Sequence, residues 1–287
     1  MDKRIAFADL NPVVNLLFFV LAIVFGMIFM HPIYLIISSV LAIVFYVSVA
    51  GRDALKLFVS MLPIALLVAL LNPLLNDRGD TVLFTYFSRN YTLEGLIYGL
   101  VFALILFVVS FWFASYCKLI TSDKFIYIFG PLAPALSLVF TMVLRFVPNY
   151  SRKAKQIVTA RKSIGKGDKK DAPAIIGALT TWAFESGITT SDSMRSRGYG
   201  TGKRTSFSIY KFTLLDALTI VLMAILSAVV IFCSAKGGTL ATFVPTLEFA
   251  NNTYTVVGGI AYLILLLLPT LINLKEVIMW QILKSRI

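Results

Sequence analysis

Two arginines near the ends of two consecutive predicted helices carry the clearest potential for recognition chemistry. Arg161 falls near the end of a helix predicted over Pro148–Ile164, and Arg197 ends a second predicted over Pro173–Arg197. At 100° per residue, each arginine lies on the less polar face of its helix. A planar guanidinium can hold a carboxylate with two hydrogen bonds, so the repetition predicts a docking surface for an acidic partner. Capping of helix carbonyls and contact with lipid phosphates are the alternatives for either arginine.

The two predicted helices each have a stripe of less polar side chains. Gly165 and Gly198 are expected to end the helices, and Arg195 falls among polar positions, away from its stripe. If the stripes pack together, they hold the two arginines at a fixed spacing. The first stripe is Val147, Tyr150, Ala154, Ile157, Val158 and Ile164; the second is Ile176, Leu179, Ala183, Gly187, Thr190 and Met194, with Trp182 beside it.

The glycine-rich run after the second helix has a partial likeness to a phosphate-binding loop. A P-loop requires glycine where Arg197 stands, serine or threonine where Arg204 stands, and a strand before it. The residues before Gly198 predict a helix instead. We therefore expect this chain to bind no nucleotide or other cofactor, so that any ATP would be used by a partner.

Residues for metal or covalent chemistry are scarce. The chain has two cysteines, Cys117 and Cys233, and one histidine, His31, which are too few for a Cys/His zinc site. No pair of convergent carboxylates and no nucleophile with an adjacent base can be recognised. The sequence predicts a non-catalytic protein without a metal site.

The composition places these residues in a membrane protein. The chain has 287 residues, of which 59% are hydrophobic and 14% charged. Soluble domains are about 45–50% apolar and about 25% charged, so a soluble enzyme is excluded, and so is a disordered chain. The formal net charge of +12 predicts an acidic partner: lipid head groups, nucleic acid or an acidic protein face.

Six apolar runs are long enough to cross a bilayer, which needs about 20 residues. A seventh run, Phe125–Val147, is interrupted by Gly130-Pro131 and Pro134, and we interpret it as a broken helix pair at the membrane interface or packed on other helices. The six predicted spans are Val13–Met30, Ile33–Val49, Leu55–Leu75, Leu93–Cys117, Leu214–Cys233 and Tyr254–Ile272.

The distribution of Lys and Arg sets the expected orientation. With six spans and a cytoplasmic N-terminus, 23 of the 26 basic residues lie inside, as such residues prefer. Residues 118–211 alone hold 16 basic against 5 acidic residues. We expect a multi-pass cell-membrane protein with both termini cytoplasmic: a four-helix N-terminal bundle (1–117), a basic cytoplasmic or interfacial segment (118–211) and C-terminal spans (212–287).

These motifs resemble the transmembrane T component (EcfT, CbiQ-like) of energy-coupling-factor (ECF) transporters, a class of ABC importer. That family carries two Ala-Arg-Gly-type motifs at the ends of two cytoplasmic coupling helices. Ala160-Arg161-Lys162 resembles the first, with lysine in place of glycine, and Ser196-Arg197-Gly198 the second, with serine in place of alanine. Three segments stand in family order: Thr121–Asp123, Arg145–Pro148 and the run Asp192–Tyr199, which includes Met194 and Arg195. Near the N-terminus, Asp9–Pro12 is a weaker match.

The resemblance implies an all-α, polytopic, non-catalytic subunit with about six spans and coupling helices between the fourth and fifth. Two cytosolic ABC-type ATPase subunits would bind Ala160–Lys162 and Ser196–Gly198, with Arg145, Pro148, Met194 and Arg195 in support. A membrane S component would capture a micronutrient, either a vitamin or a transition-metal ion. The chain would transmit ATP-driven motion to that component in the cell membrane of a prokaryote.

Two other classes remain open from the residues alone. The basic segment could serve an integral membrane enzyme that acts on anionic lipids, although no catalytic set supports it. It could also bind anionic lipid or nucleic acid. Aromatic residues interleave poorly with the charges, which argues against nucleic-acid binding by base stacking.

Overall fold

The computed structural model describes residues 5–75, 81–86, 89–166, 171–202, 210–243, 248–249 and 251–284. The chain forms two compact units. The bundle unit comprises Met1–Lys124 and Tyr210–Ile287, and the hairpin unit comprises Phe125–Ile209. Each is described by itself below.

Among the described residues the chain is mostly helical, with two short pairs of antiparallel strands that the sequence did not predict. β1 pairs with β2, and β3 with β4. In chain order the elements are α1 (Ala6–Asp9), α2 (Pro12–Ile28), α3 (Pro32–Ala50), α4 (Asp53–Leu75), β1 (Val82–Tyr86), β2 (Arg89–Thr92), α5 (Leu93–Leu119), α6 (Ser122–Phe129), α7 (Pro134–Ser163), α8 (Ala172–Ser196), α9 (Leu214–Ala235), β3 (Ala241–Thr242), β4 (Glu248–Phe249) and α10 (Thr253–Lys284).

Five helices among the described residues are long and apolar enough to cross a membrane: α3, α4, α5, α9 and α10. The first predicted span corresponds to α2, which has 17 residues. At 1.5 Å per residue, α2 is roughly 26 Å long, slightly less than the hydrocarbon thickness of a bilayer. The helices thus fit a multi-pass, helical membrane protein.

Aromatic side chains form the centre of the bundle unit. The Phe7 ring lies 5.4 Å from Phe18, 6.3 Å from Phe19 and 6.2 Å from Phe45, in each case edge to face. Such geometry is favourable because the ring edge is positive and the ring face negative. The buried indole of Trp112 donates a hydrogen bond to Ser38 Oγ at 3.1 Å. These contacts bring α1, α2, α3 and α5 together.

The first predicted coupling helix has the wrong start. α7 begins at Pro134 and runs for 30 residues, with Pro148 inside it. The predicted break within Phe125–Val147 is confined to the turn between α6 and α7. Both prolines suit a first helical turn, and Pro134 takes that position here. Pro148 removes one hydrogen bond from the interior of α7, but the surrounding residues continue the helix.

The second predicted helix agrees with α8 to within one residue at each end. α8 begins at Ala172, with Pro173 in its first turn, and ends at Ser196, so that Arg197 occupies the C-cap position. Proline and glycine signals mark these two ends in the sequence itself.

Candidate functional site

The C-terminus of α7 is closed by a glycine in the left-handed region. Gly165 has φ 71°, and its N–H donates to the carbonyl of Lys162 at 3.0 Å. The N–H of Lys166 donates to the carbonyl of Arg161 at 2.9 Å. This pair of bonds is the Schellman motif, which satisfies carbonyls that the helix leaves free.

The C-terminus of α8 closes in the same way. Gly198 has φ 82°, and its N–H donates to the carbonyl of Arg195 at 2.9 Å. The N–H of Tyr199 donates to the carbonyl of Met194 at 3.0 Å. Arg197 lies directly before the left-handed glycine, whereas Arg161 lies four residues before Gly165. The two arginine motifs are therefore not equivalent in position.

Lys162 explains this difference. Gly198 stands directly after Arg197, where a left-handed glycine can end the helix, whereas Lys162 stands directly after Arg161. Lysine has good helix propensity, and α7 continues past it to Ser163. Arg161 therefore lies inside the last turn of α7, not at its cap.

Arg161 forms an ion pair within the chain. Its Nη2 donates to Asp171 Oδ1 at 2.7 Å, and its Nε donates to Asp171 Oδ2. The side chains are 28% and 18% exposed. Hydrogen bonding to Asp171 raises the pKa of Arg161 above its usual value. The pair joins the end of α7 to the start of α8.

The pairing of Arg161 with Asp171 was not predicted from the sequence. Asp171 stands at the N-cap position, but its side chain makes no capping hydrogen bond. The signal was present in the sequence: opposite charges ten residues apart flank a glycine-containing turn between two helices. Such a turn brings helix ends together, and oppositely charged ends can then pair.

The hairpin unit is held by an aromatic contact midway along its two helices. The Tyr150 ring lies 5.3 Å from Trp182, edge to face, and stacks on Phe146 at 5.7 Å. Lys153 Nζ lies 5.5 Å from the centre of the Trp182 ring, within reach of a cation–π contact. With the Arg161–Asp171 pair at the turn, this contact makes α7 and α8 antiparallel.

Four of the six residues placed on the predicted stripe of α8 are half-buried: Leu179, Ala183, Thr190 and Met194. Ile176, placed on the stripe, is 62% exposed, while Ile175 is half-buried. Trp182, placed beside the stripe, lies in the contact itself. The half-buried side chains are Ser137, Leu138, Met142, Leu144, Phe146, Tyr150, Lys153, Ala154, Ile157, Val158 and Arg161 on α7, and Ile175, Leu179, Trp182, Ala183, Ser186, Thr190 and Met194 on α8. The contact surface of α8 therefore follows the predicted stripe except that Ile175 and Ser186 are half-buried in place of Ile176 and Gly187.

A groove of about 680 Å³ opens between α7 and α8, at the end away from Asp171. It brings together Arg145 from α7 and Arg197 from α8, with Glu185 as an acidic residue among its walls. We name it the α7–α8 groove. Its lining is Met142, Arg145, Phe146, Asn149, Trp182, Glu185, Ser186, Thr189, Thr190, Ser193, Met194 and Arg197.

The groove contains only some of the sequence-predicted residues. Arg145, Met194 and Arg197 line it, and Gly198 lines an adjoining hollow of about 390 Å³ that Arg197 shares. Arg161, which pairs with Asp171, lies near the opposite end of α8 from Arg197. The 25 residues of α8 span about 37 Å at 1.5 Å per residue. The remaining predicted residues are exposed and line neither hollow: Pro148, Ala160, Lys162, Arg195 and Ser196.

Apolar side chains are exposed on the outer faces of the hairpin unit. No described side chain of α7 or α8 is fully buried. Leu136, Val139, Phe140, Val143 and Val147 are exposed along one face of α7, and Ile176, Phe184 and Ile188 along α8. Continuous apolar surface of this kind marks contact with lipid or with another protein.

The chain is similar to a protein whose name gives no function. No protein-family model matches the chain. It is 26% identical over 110 residues to the "Uncharacterized protein MG181 homolog" of Mycoplasma pneumoniae (strain ATCC 29342 / M129 / Subtype 1). The similarity covers 35% of this chain and 25% of that protein.

Proposed function

We propose that this chain is the transmembrane scaffold of an ECF-type importer, which couples ATP hydrolysis by two cytosolic ABC-type ATPases to micronutrient uptake. The observation that carries the proposal is the α7–α8 groove, where Arg145 and Arg197 come together from two helices. An acidic helix or loop of an ATPase fits a cationic groove between helices.

In the proposed complex, the exposed arginines and the apolar faces make different contributions to ATPase binding. Arg197 at the cap of α8 is exposed, so it is free to meet a carboxylate with two hydrogen bonds. Electrostatic complementarity supplies steering and register. The apolar faces of α7 and α8 supply area for burial, which accounts for most of the affinity of protein interfaces.

The S component completes the proposed complex. It would bind the vitamin or transition-metal ion, and this chain would transmit the motion of the ATPases to it. In this arrangement the chain itself binds neither ATP nor substrate and catalyses no step.

A second candidate function is binding of anionic lipid. The observation in its favour is the apolar α7 face of Leu136–Val147 on a segment with an excess of basic residues. A helix with an apolar face and basic residues on its other faces can lie in the membrane interface.

The first prediction tests the proposed ATPase partners. The full chain is purified in mild detergent from its native membrane, and co-purifying proteins are identified by mass spectrometry. We expect ABC-type ATPase subunits in about twofold molar excess, by the ECF arrangement and its two docking motifs. The ECF proposal is wrong if no ABC-type ATPase co-purifies with the chain. Binding of the purified chain to vesicles of anionic lipid would then favour the second candidate function.

Arg197→Ala tests the groove. Loss of one partner of a desolvated ion pair costs roughly 2–5 kcal/mol, so we expect ATPase binding to weaken at least about tenfold. Lys155→Ala is the matched control, because it removes the same charge from an exposed α7 position outside the groove. Equal binding by both variants would contradict the assignment of Arg197.

A further inference from the structure

The two connections between the bundle unit and the hairpin unit attach to one N-terminal segment. The chain leaves the bundle unit after Lys124 and returns at Tyr210. The Lys124 side chain is only 6% exposed. Its ammonium donates to the carbonyl of Ala8 at 2.6 Å and to that of Leu119 at 3.0 Å. The outgoing connection is thereby fixed to α1.

The returning connection is fixed three residues further along the same segment. Asp216, 1% exposed, accepts the backbone N–H of Asn11 through Oδ1 at 3.0 Å. Its Oδ2 accepts the N–H of Thr213 at 2.8 Å and the Thr213 hydroxyl at 2.7 Å. With the Thr213 side chain accepting from the Asp216 N–H, this is a capping box at the start of α9.

The N-terminal segment is itself anchored in the bundle unit. The backbone N–H of Phe7 donates to Asn273 Oδ1 on α10 at 2.9 Å. The Phe7 side chain is 2% exposed and belongs to the central aromatic cluster. A displacement of Ala8–Asn11 would therefore disturb contacts with α10 and with the aromatic centre.

The two connections also touch each other. The Tyr210 hydroxyl hydrogen-bonds with Thr121, one connection on each side. Burial raises the pKa of Tyr210, and the charge of Asp123 adds to this effect. The start and the return of the connecting chain thus meet at one place, although 89 positions separate Thr121 from Tyr210.

Burial of the charged side chains of Lys124 and Asp216 costs hydration free energy. Burial lowers the pKa of Lys124, and the nearby charge of Asp9 partly opposes that shift. A buried charge is tolerated where hydrogen bonds compensate for lost hydration. Both Lys124 and Asp216 meet this condition through backbone groups of Ala8 and Asn11, so the same short segment stabilises both charges.

We propose that Ala8–Asn11 is a shared mount for both connections, with Lys124 and Asp216 as the positioning residues that couple them. Displacement of either connection shifts the mount and, through it, the other connection. The consequence for transport rests on the proposed function, but the mechanical coupling does not.

Hydrogen–deuterium exchange of the purified full chain tests the coupling without any partner. Lys124→Met removes the bonds of the outgoing connection, and we expect exchange to rise about tenfold at residues 210–216, on the returning side. Asp216→Asn should raise exchange at residues 119–124 in turn. Changes confined to the mutated side would overturn the shared mount.

Thr213→Ala is the milder variant if either substitution prevents folding, because it removes the two hydrogen bonds of the Thr213 hydroxyl with Asp216 and keeps the carboxylate. It should still raise exchange at residues 119–124. Lys118→Met and Asp53→Asn are matched controls, since they break an exposed ion pair of 3.3 Å between α5 and α4. Exchange changes at both connections in these controls would also overturn the proposal.

A transport assay separates this proposal from the proposed function. In reconstituted complex, Lys124→Met should retain ATPase binding and ATP hydrolysis, while substrate transported per ATP falls about tenfold. Unchanged transport per ATP contradicts the positioning role. If the wild-type chain binds no ATPase, the proposed function fails, and the exchange result alone decides the shared mount.

Discussion

At the scale of residues, the two motif arginines, Arg161 and Arg197, have different surroundings. Arg197 is exposed beside the α7–α8 groove, whereas Arg161 is hydrogen-bonded to Asp171 through two nitrogens. The guanidinium carries a single charge, and Asp171 already balances it. Under the proposed function, a carboxylate of an ATPase would compete with Asp171 for Arg161, but it would meet Arg197 directly.

Asp171→Asn should strengthen ATPase binding. The substitution removes the competing charge and leaves Arg161 available, so we expect about a fivefold gain in affinity, measured by titration of labelled ATPase in detergent. Asp192→Asn is the control, because it removes the same charge from an exposed position on α8. Weaker binding of Asp171→Asn would mean that Asp171 orients Arg161 for docking.

At the scale of elements, the backbone at the helix ends determines where the arginines lie. α7 and α8 both close with a Schellman motif, at Gly165 and at Gly198. Because Lys162 continues α7, the spacing from arginine to cap differs between the helices. The position of Arg197 depends on a left-handed glycine that no other residue type adopts as readily.

Gly198→Ala should destabilise the end of α8. At φ 82° an added Cβ is strained and costs about 1–2 kcal/mol, so exchange of the Tyr199 N–H should rise and ATPase affinity should fall. Gly177→Ala is the matched control within α8, where a Cβ meets open space and helix propensity improves by about 1 kcal/mol. Equal exchange in the two variants would contradict the role of the cap.

At the scale of the whole molecule, apolar helices and uneven charge predict the orientation. Five long apolar helices fit a multi-pass membrane protein, and 16 of its 26 basic residues lie in residues 118–211. Basic residues in short loops favour the cytoplasmic side. With α2 counted as a sixth span, that rule predicts cytoplasmic termini and an external connection between α9 and α10.

Cysteine labelling tests this orientation. With Cys117 replaced by alanine, we expect Lys236→Cys, exposed after α9, to react with a membrane-impermeant maleimide in intact cells. Lys118→Cys, exposed at the end of α5, should react only after permeabilisation. The reverse pattern would invert the topology and put the hairpin unit outside, which would be incompatible with cytosolic ATPases.

Features encoded by neighbouring residues could be predicted from the sequence. The ends of α8 follow from Pro173 and Gly198, which restrict the backbone locally. The start of α7 could not be chosen in the same way, because Pro134 and Pro148 carry the same local signal. Packing decided between them, and it also set the seam of the hairpin unit around Trp182.

The sequence by itself determined the membrane class, the helical architecture and the basic segment, because composition and hydrophobic periodicity act over short stretches of chain. Only the tertiary structure paired Arg161 with Asp171, placed Arg145 and Arg197 in the walls of one groove, and brought Lys124 and Asp216 to the Ala8–Asn11 segment. These pairings join residues that are ten to more than two hundred positions apart. Their partners are chosen by packing and by hydrogen-bond satisfaction of buried charges, which no local pattern records.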